Sequence, residues 1–220
     1  MINAHTNSEI EKSVIRSQHT QRNWNLDKKL PKEDVNTLLQ AVTNCPSKQN
    51  IAFYKVHFIQ DRSLIEEIHE HTLGFRYGSG FETTETNPQT LANLLVIFED
   101  YNFLDNLKDD IHRNQATREY LENGYLSEET EKELNRDKQI ALGIASGYLN
   151  LSASLMGYRT GCCQCMDSAE IKEVAMLNEE PLLLMGVGFP QDGVSRRRHH
   201  IRDFTFHTKK KQPIKYEVLD

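Results

Sequence analysis

The chain has 220 residues, 38% of them hydrophobic and 26% charged, with a formal net charge of −6. That length suits one domain with its own core, and the composition excludes wholesale disorder and any need for disulfide staples. The longest apolar stretch, Leu182 to Phe189, is broken by Gly186 and Gly188 and is far short of the ~20 residues of a membrane helix; the polar run from Met1 to Glu9 has no signal-peptide core, so a cytoplasmic protein is expected.

In chain order, the segment from about Asn7 to Ser17 spaces Ile10, Val14 and Ile15 as a helix does. A second helix follows Pro31, with Glu33 and Asp34 at its N-terminal dipole and Val35, Leu38, Leu39 and Val42 on one face, and Pro46 stops it. Tyr54, Val56 and Phe58 alternate with Lys55 and His57, which predicts a strand with one face buried. Asp61 is placed to cap a helix carrying Leu64, Ile65 and Ile68. Gly74 to Gln89 reads as a long irregular loop, Leu94 to Phe98 as a central strand and Asn102 to Asn123 as polar helix. The longest helix starts near Ser127 and ends near Gly157; its stretch from Ile140 to Leu155 is apolar or small nearly all round, which predicts burial in the core or in a dimer interface. Asp167 and Glu170 have capping-box spacing for a short helix through Met176, and Pro181 to Val187 reads as another buried strand. The sum is mixed α and β, with helices outnumbering strands.

Chemistry-bearing residues gather in four polar clusters just outside these elements: Gln18 to Trp24, Pro46 to Asn50, Thr160 to Cys165, and Arg196 to Arg202. No serine–histidine–acid order, phosphate loop or dinucleotide glycine motif is present. Cys162 and Cys165 have the C-x-x-C spacing of a zinc site, but a closed site needs two more ligands and no second C-x-x-C exists. Free thiols and no metal are expected. Amide, hydroxyl and guanidinium groups of the four clusters could serve an anionic ligand if the fold makes them converge.

In this order the clusters resemble the FMN-dependent nitroreductase family. Gln18, His19, Thr20 and Arg22 are similar to R-[RH]-S-x-[RK], with Gln18 standing where the family usually has Arg. Pro46, Ser47 and Asn50 match P-S-x-x-N, while Ala52-Phe53-Tyr54 replaces the usual Q-P-W. Cys162, Cys163, Gln164 and Cys165 follow the long helix, with Cys165 at a common glycine position. Pro181 to Pro190 looks like the final strand motif, and Arg196 and Arg198 match the R-x-R after it. The resemblance implies a single α+β, nitroreductase-like domain with its core at about 8–202 and a basic tail at 203–220. A central mixed or antiparallel sheet would be flanked by helices, with the long helix at a homodimer interface. It also implies FMN, its phosphate and ribityl chain held by the first and last clusters, Ser47 and Asn50 reaching it from the other subunit, and the Gln164 main-chain N–H near flavin N5. The expected activity is hydride transfer from NADH or NADPH to a small acceptor such as a nitroaromatic or quinone, with no side-chain acid or base. Reductive dehalogenation, flavin fragmentation and azoline oxidation are alternatives on the same fold. A polyanion-binding protein working through Arg196 to Lys211 is the alternative from another class; an otherwise acidic chain with thin aromatic interleaving argues against nucleic acid as partner.

Overall fold

In a computed structural model, described over residues 4–74, 86–101, 115–207 and 210–218, the wholly apolar run after Asn93 becomes the middle of a sheet. This strand, β2 (Leu94–Asp100), is buried along all but its last residue. It lies between β1 (Tyr54–Ile59) and β4 (Pro181–Gly188), with β3 (Arg159–Cys163) on the far edge, and every pairing is antiparallel. Alternate residues of β2 face opposite ways, as the pleat requires. Leu94, Val96 and Phe98 pack with Leu183, Met185 and Val187 beneath α2 (Lys32–Thr43) and α5 (Glu128–Leu155). Leu95 and Ile97 pack with Leu184 beneath α3 (Arg62–Glu70) and α6 (Ser168–Val174). Helices cover both faces, which is why neither inner strand shows an apolar–polar alternation. Two further helices, α1 (Ala4–Ser17) and α4 (Gln115–Asn123), and a short 3-10 turn at Lys48–Asn50 complete the described elements, and α1 lies against α5. Among the described residues no helix is long and apolar enough to cross a membrane.

The helix starts follow from local chemistry. Asp61 accepts from the Leu64 N–H at 2.9 Å and Ser127 from the Thr130 N–H at 3.3 Å, satisfying donors that have no partner inside the helix. Asp167 accepts from the Ala169 and Glu170 N–H groups, but its own N–H goes to the His71 carbonyl at 2.9 Å. The reciprocal half of the expected capping box is therefore not made, and the helix ends at Val174, before Met176, which has φ 50°.

One expectation needs correction. The alternation in β1 predicted one buried and one exposed face, yet all six of its residues are half-buried, because β1 is an edge strand. In one chain the stretch from Ile140 to Leu155 buries one face: Ala141, Ala145, Leu149 and Ala153 face the core, while Ile140, Tyr148, Leu151 and Leu155 are exposed. The polar helix expected over 102–123 is described only from Gln115, and 75–85 of the long loop likewise lie outside the described residues.

Candidate functional site

Past α1 the chain turns, with the His19 N–H donating to the Arg16 carbonyl, and runs over the edge strand β3, where the Gln21 N–H donates to the Thr160 carbonyl at 2.8 Å. The Arg22 N–H then donates to the Arg196 carbonyl at 3.1 Å, and the Arg196 guanidinium returns to the Thr20 carbonyl at 3.2 Å. Asn23 is fully buried and its amide donates to the carbonyls of Ser195 and Arg198 at 2.6 and 3.1 Å. Three of the four sequence clusters are thus tied together. The close approach depends on absent side chains: a Cβ on Gly161 would lie 2.8 Å from the Gln21 carbonyl oxygen, and one on Gly186 2.1 Å from that of Gln89.

Positive charge accumulates there. The Arg22 guanidinium lies 4.4 Å from the centroid of the Phe206 ring, and its Nε is buried with no hydrogen-bond partner. Burial, then the nearby Arg196, push its pKa down to about 10, so it stays cationic at neutral pH. Burial and Arg197 lower Arg196 in turn, and burial, Arg196 and Lys211 lower His19. Among the described residues, no carboxylate forms an ion pair with Arg16, Arg22, Arg159 or Arg196. A partly buried cation without a counter-ion is destabilising alone and gains most from an anion. Gln18 is exposed and Thr20 half-buried at the same turn.

Arg198 behaves differently from Arg196. Its guanidinium pairs with Asp203 at 2.7 Å, so Arg196 is the cation of that run that reaches the first cluster. In the third cluster Cys162 and Cys163 end β3, and Gln164 and Cys165 are exposed just beyond it. All four cysteines of the chain are free thiols. Burial pushes the Cys163 thiol up to about 12, and its sulfur accepts from the Asn87 amide at 2.6 Å. Gln89 donates to the Cys162 carbonyl. Asn87, Gln89 and Phe206 were missed as site residues in the sequence; the Asn87-Pro88 turn before a wholly apolar strand was the one local signal for the first two.

Among the described residues no hydrogen bond or ion pair joins the second cluster to the other three. The Ser47 hydroxyl donates to the Ile51 carbonyl at 2.8 Å, and Lys48 pairs with Asp137 of α5 at 2.5 Å. Gln49 and Asn50 both have left-handed backbone, at φ 55° and 58°, a conformation that costs non-glycine residues about 1 kcal/mol or more each. Pro46 is exposed beside them, and Ser47 and Asn50 line a groove with Cys45, Tyr54, Lys55 and His57.

An antiparallel sheet with helices on both faces, and arginines without a carboxylate partner among the described residues near one edge strand, define an α+β protein with a cationic candidate site. Residues 15–189 match the model of the nitroreductase family, and the chain belongs to that family. The fold is shared with solved structures at low identity. A nitroreductase family protein from Streptococcus pneumoniae is 18% identical, with a TM-score of 0.60 over 86% of this chain and 92% of its own. An Exiguobacterium sibiricum protein assigned as a nitroreductase and solved in complex with FMN is 16% identical, with a TM-score of 0.59 over 83% and 89%. A Staphylococcus epidermidis protein assigned as an NAD(P)H:FMN oxidoreductase is 15% identical, with a TM-score of 0.61 over 93% and 92%. No curated protein sequence matches the chain.

Proposed function

We propose that the chain is an FMN-dependent oxidoreductase that works as a homodimer, takes hydride from NADH or NADPH and passes it to a small acceptor such as a nitroaromatic or quinone. One observation carries the reading: Arg22 and Arg196 meet at the β3 edge with no ion pair to a carboxylate among the described residues, and Arg22 keeps a buried Nε with no hydrogen-bond partner among them. That donor set fits a phosphate monoester, because guanidinium forks match phosphate oxygens. The FMN complex of the Exiguobacterium protein and the name of the Staphylococcus protein support the same cofactor and donor.

Bound FMN supplies the reversible hydride acceptance that side chains lack. The work of this chain is then to bind and orient. Arg22 and Arg196 hold the phosphate, with Gln18, His19 and Thr20 around it, and Arg198 joins them by leaving Asp203. Cys162, Cys163, Gln164 and Cys165 flank the ring, Gln164 through its main-chain N–H. Pro46, Ser47 and Asn50 come from the second copy, in keeping with the absence of any bond from them to the other clusters among the described residues. The dimer itself is supported by the stripe of Ile140, Tyr148, Leu151 and Leu155 on α5, which is exposed beside Gly143 and Gly147, two positions with nothing within 4 Å of a built Cβ. Such a stripe is costly in water and suits close helix packing.

The purified protein is expected to be yellow and to bleach on anaerobic addition of NADH or NADPH. A colourless protein that cannot be loaded with FMN overturns the reading.

A further inference from the structure

The segment after β4, beyond the residues matched by the family, supplies one deeply placed aromatic ring. Phe206 is 7% exposed although Thr205 and His207 beside it are exposed. Its N–H donates to the Arg197 carbonyl at 2.8 Å, and the His199 N–H donates to the Phe204 carbonyl at 2.8 Å, closing a small loop. The ring stacks on His199 at 5.8 Å and meets Phe204 edge-on at 4.9 Å. Its face lies 4.4 Å from the Arg22 guanidinium carbon.

A guanidinium that is to capture an anion needs its plane fixed and its charge kept. A carboxylate neighbour would fix the plane but cancel the charge. An aromatic face attracts the cation through its quadrupole, restrains the plane and leaves the net charge and the N–H edge for a ligand. Arg22 is in the second situation: it has the ring, no carboxylate partner among the described residues, and a buried Nε without an acceptor.

We propose that Phe206 is a positioning residue for phosphate capture: its ring holds the Arg22 guanidinium flat and charged, with its donor edge turned to the phosphate monoester of the cofactor. This rests on the FMN reading above. The chemistry requires the negative face of the ring and not merely its bulk, which separates the role from packing.

The test replaces Phe206 in the full chain by mono-, di- and trifluorinated phenylalanine, which nearly keep the shape while draining the ring face, and by Phe206→Leu. FMN and riboflavin are titrated into each flavin-stripped protein and into Arg22→Ala, with flavin fluorescence as the readout. FMN affinity is expected to fall stepwise along the fluorine series and about 3- to 10-fold in Phe206→Leu, with riboflavin affinity constant. If Arg22→Ala weakens FMN but the fluorine series is flat, the role of Phe206 is overturned and the phosphate reading stands. Equal losses for FMN and riboflavin mean packing alone and also overturn it. If Arg22→Ala leaves FMN affinity unchanged, the phosphate reading falls and the proposal with it. Should Phe206→Leu fail to fold, the fluorinated variants decide alone.

Discussion

At the residue scale, charge alone does not mark the site; the partner of each charge does. Arg196 and Arg198 are two positions apart in a basic run, yet the first donates to the Thr20 carbonyl and the second pairs with Asp203. The variants Arg22→Ala and Arg196→Ala are therefore expected to weaken FMN binding roughly 10- to 100-fold, since each hydrogen bond to a charged group contributes roughly 1.5–3 kcal/mol. Arg198→Ala should cost less than either, because its guanidinium must first give up a carboxylate, and riboflavin affinity should not change in any of them. Isothermal titration of the flavin-stripped proteins checks this, and a larger loss in Arg198→Ala than in Arg196→Ala would contradict the assignment. Arg22 is expected at the site from its place in a motif. Phe206 is not, because no spacing rule links an aromatic residue to an arginine so far away in sequence.

At the element scale, the edge of the sheet is shaped by what its strands lack. The segment from Asn87 to Asn93 lies on β3 and β4, and Gly161, Gly186 and Gly188 sit where any Cβ would meet it. At Gly186 the obstacle is backbone, the Gln89 carbonyl oxygen at 2.1 Å, with the Ala92 methyl at 2.9 Å. Neither can rotate away. Gly186→Ala should destabilise by at least about 2 kcal/mol, which lowers the melting temperature by roughly 5 °C or more for a domain of this size. Differential scanning calorimetry reads the change, and an unaltered melting temperature would show that the segment yields easily. Strand and helix positions were legible here: β2, β4, α3 and the Ser127 start of α5 fall where apolar pattern and capping residues put them. The half-burial of β1 was not, since its own alternation carries no information about being at an edge.

For the whole molecule, two consequences concern what holds the segments together. The first is acid sensitivity. His69 of α3 and His199 of the C-terminal segment are 4% and 2% exposed. Burial, aided by neighbouring imidazoles and Arg62, lowers His69 to about 4 despite its hydrogen bond to the Asn87 carbonyl; burial with Arg202 and His200 does the same to His199. Both folded-state values lie below the unfolded one, so the unfolded chain binds more protons on acidification. Stability is fully present above about pH 6.5 and is lost as pH falls towards 4, on the order of 3 kcal/mol for each group. Urea unfolding at stepped pH should show the decline, made shallower by His69→Gln; a stability flat from pH 7 to 4 would contradict it. The second consequence is assembly. Gly147 has open space around a built Cβ in one chain, so Gly147→Arg should leave the fold of a subunit intact while blocking close helix approach. Light scattering is expected to give a dimer for the natural chain and a monomer without flavin for the variant; a flavin-loaded dimer of the variant would move the interface elsewhere.

By itself the sequence determined most of the elements, the ordered motifs and the nitroreductase family, because apolar period, caps and motif spacing are local properties that can be read one segment at a time; the strand β3 (Arg159–Cys163), short, polar and glycine-containing, was read only as a polar cluster. Only the tertiary structure decided which polar groups meet: that the guanidinium of Arg196 rather than that of Arg198 reaches the turn after α1, and that Asn87 and Gln89 close on Cys162 and Cys163. The same holds for α5, whose all-round apolar stretch is compatible with a core or an interface until the sheet takes one face and leaves the other exposed. The physical reason is that convergence depends on strand order and on glycines that admit backbone at contact distance, and neither leaves a trace in the spacing of the residues brought together.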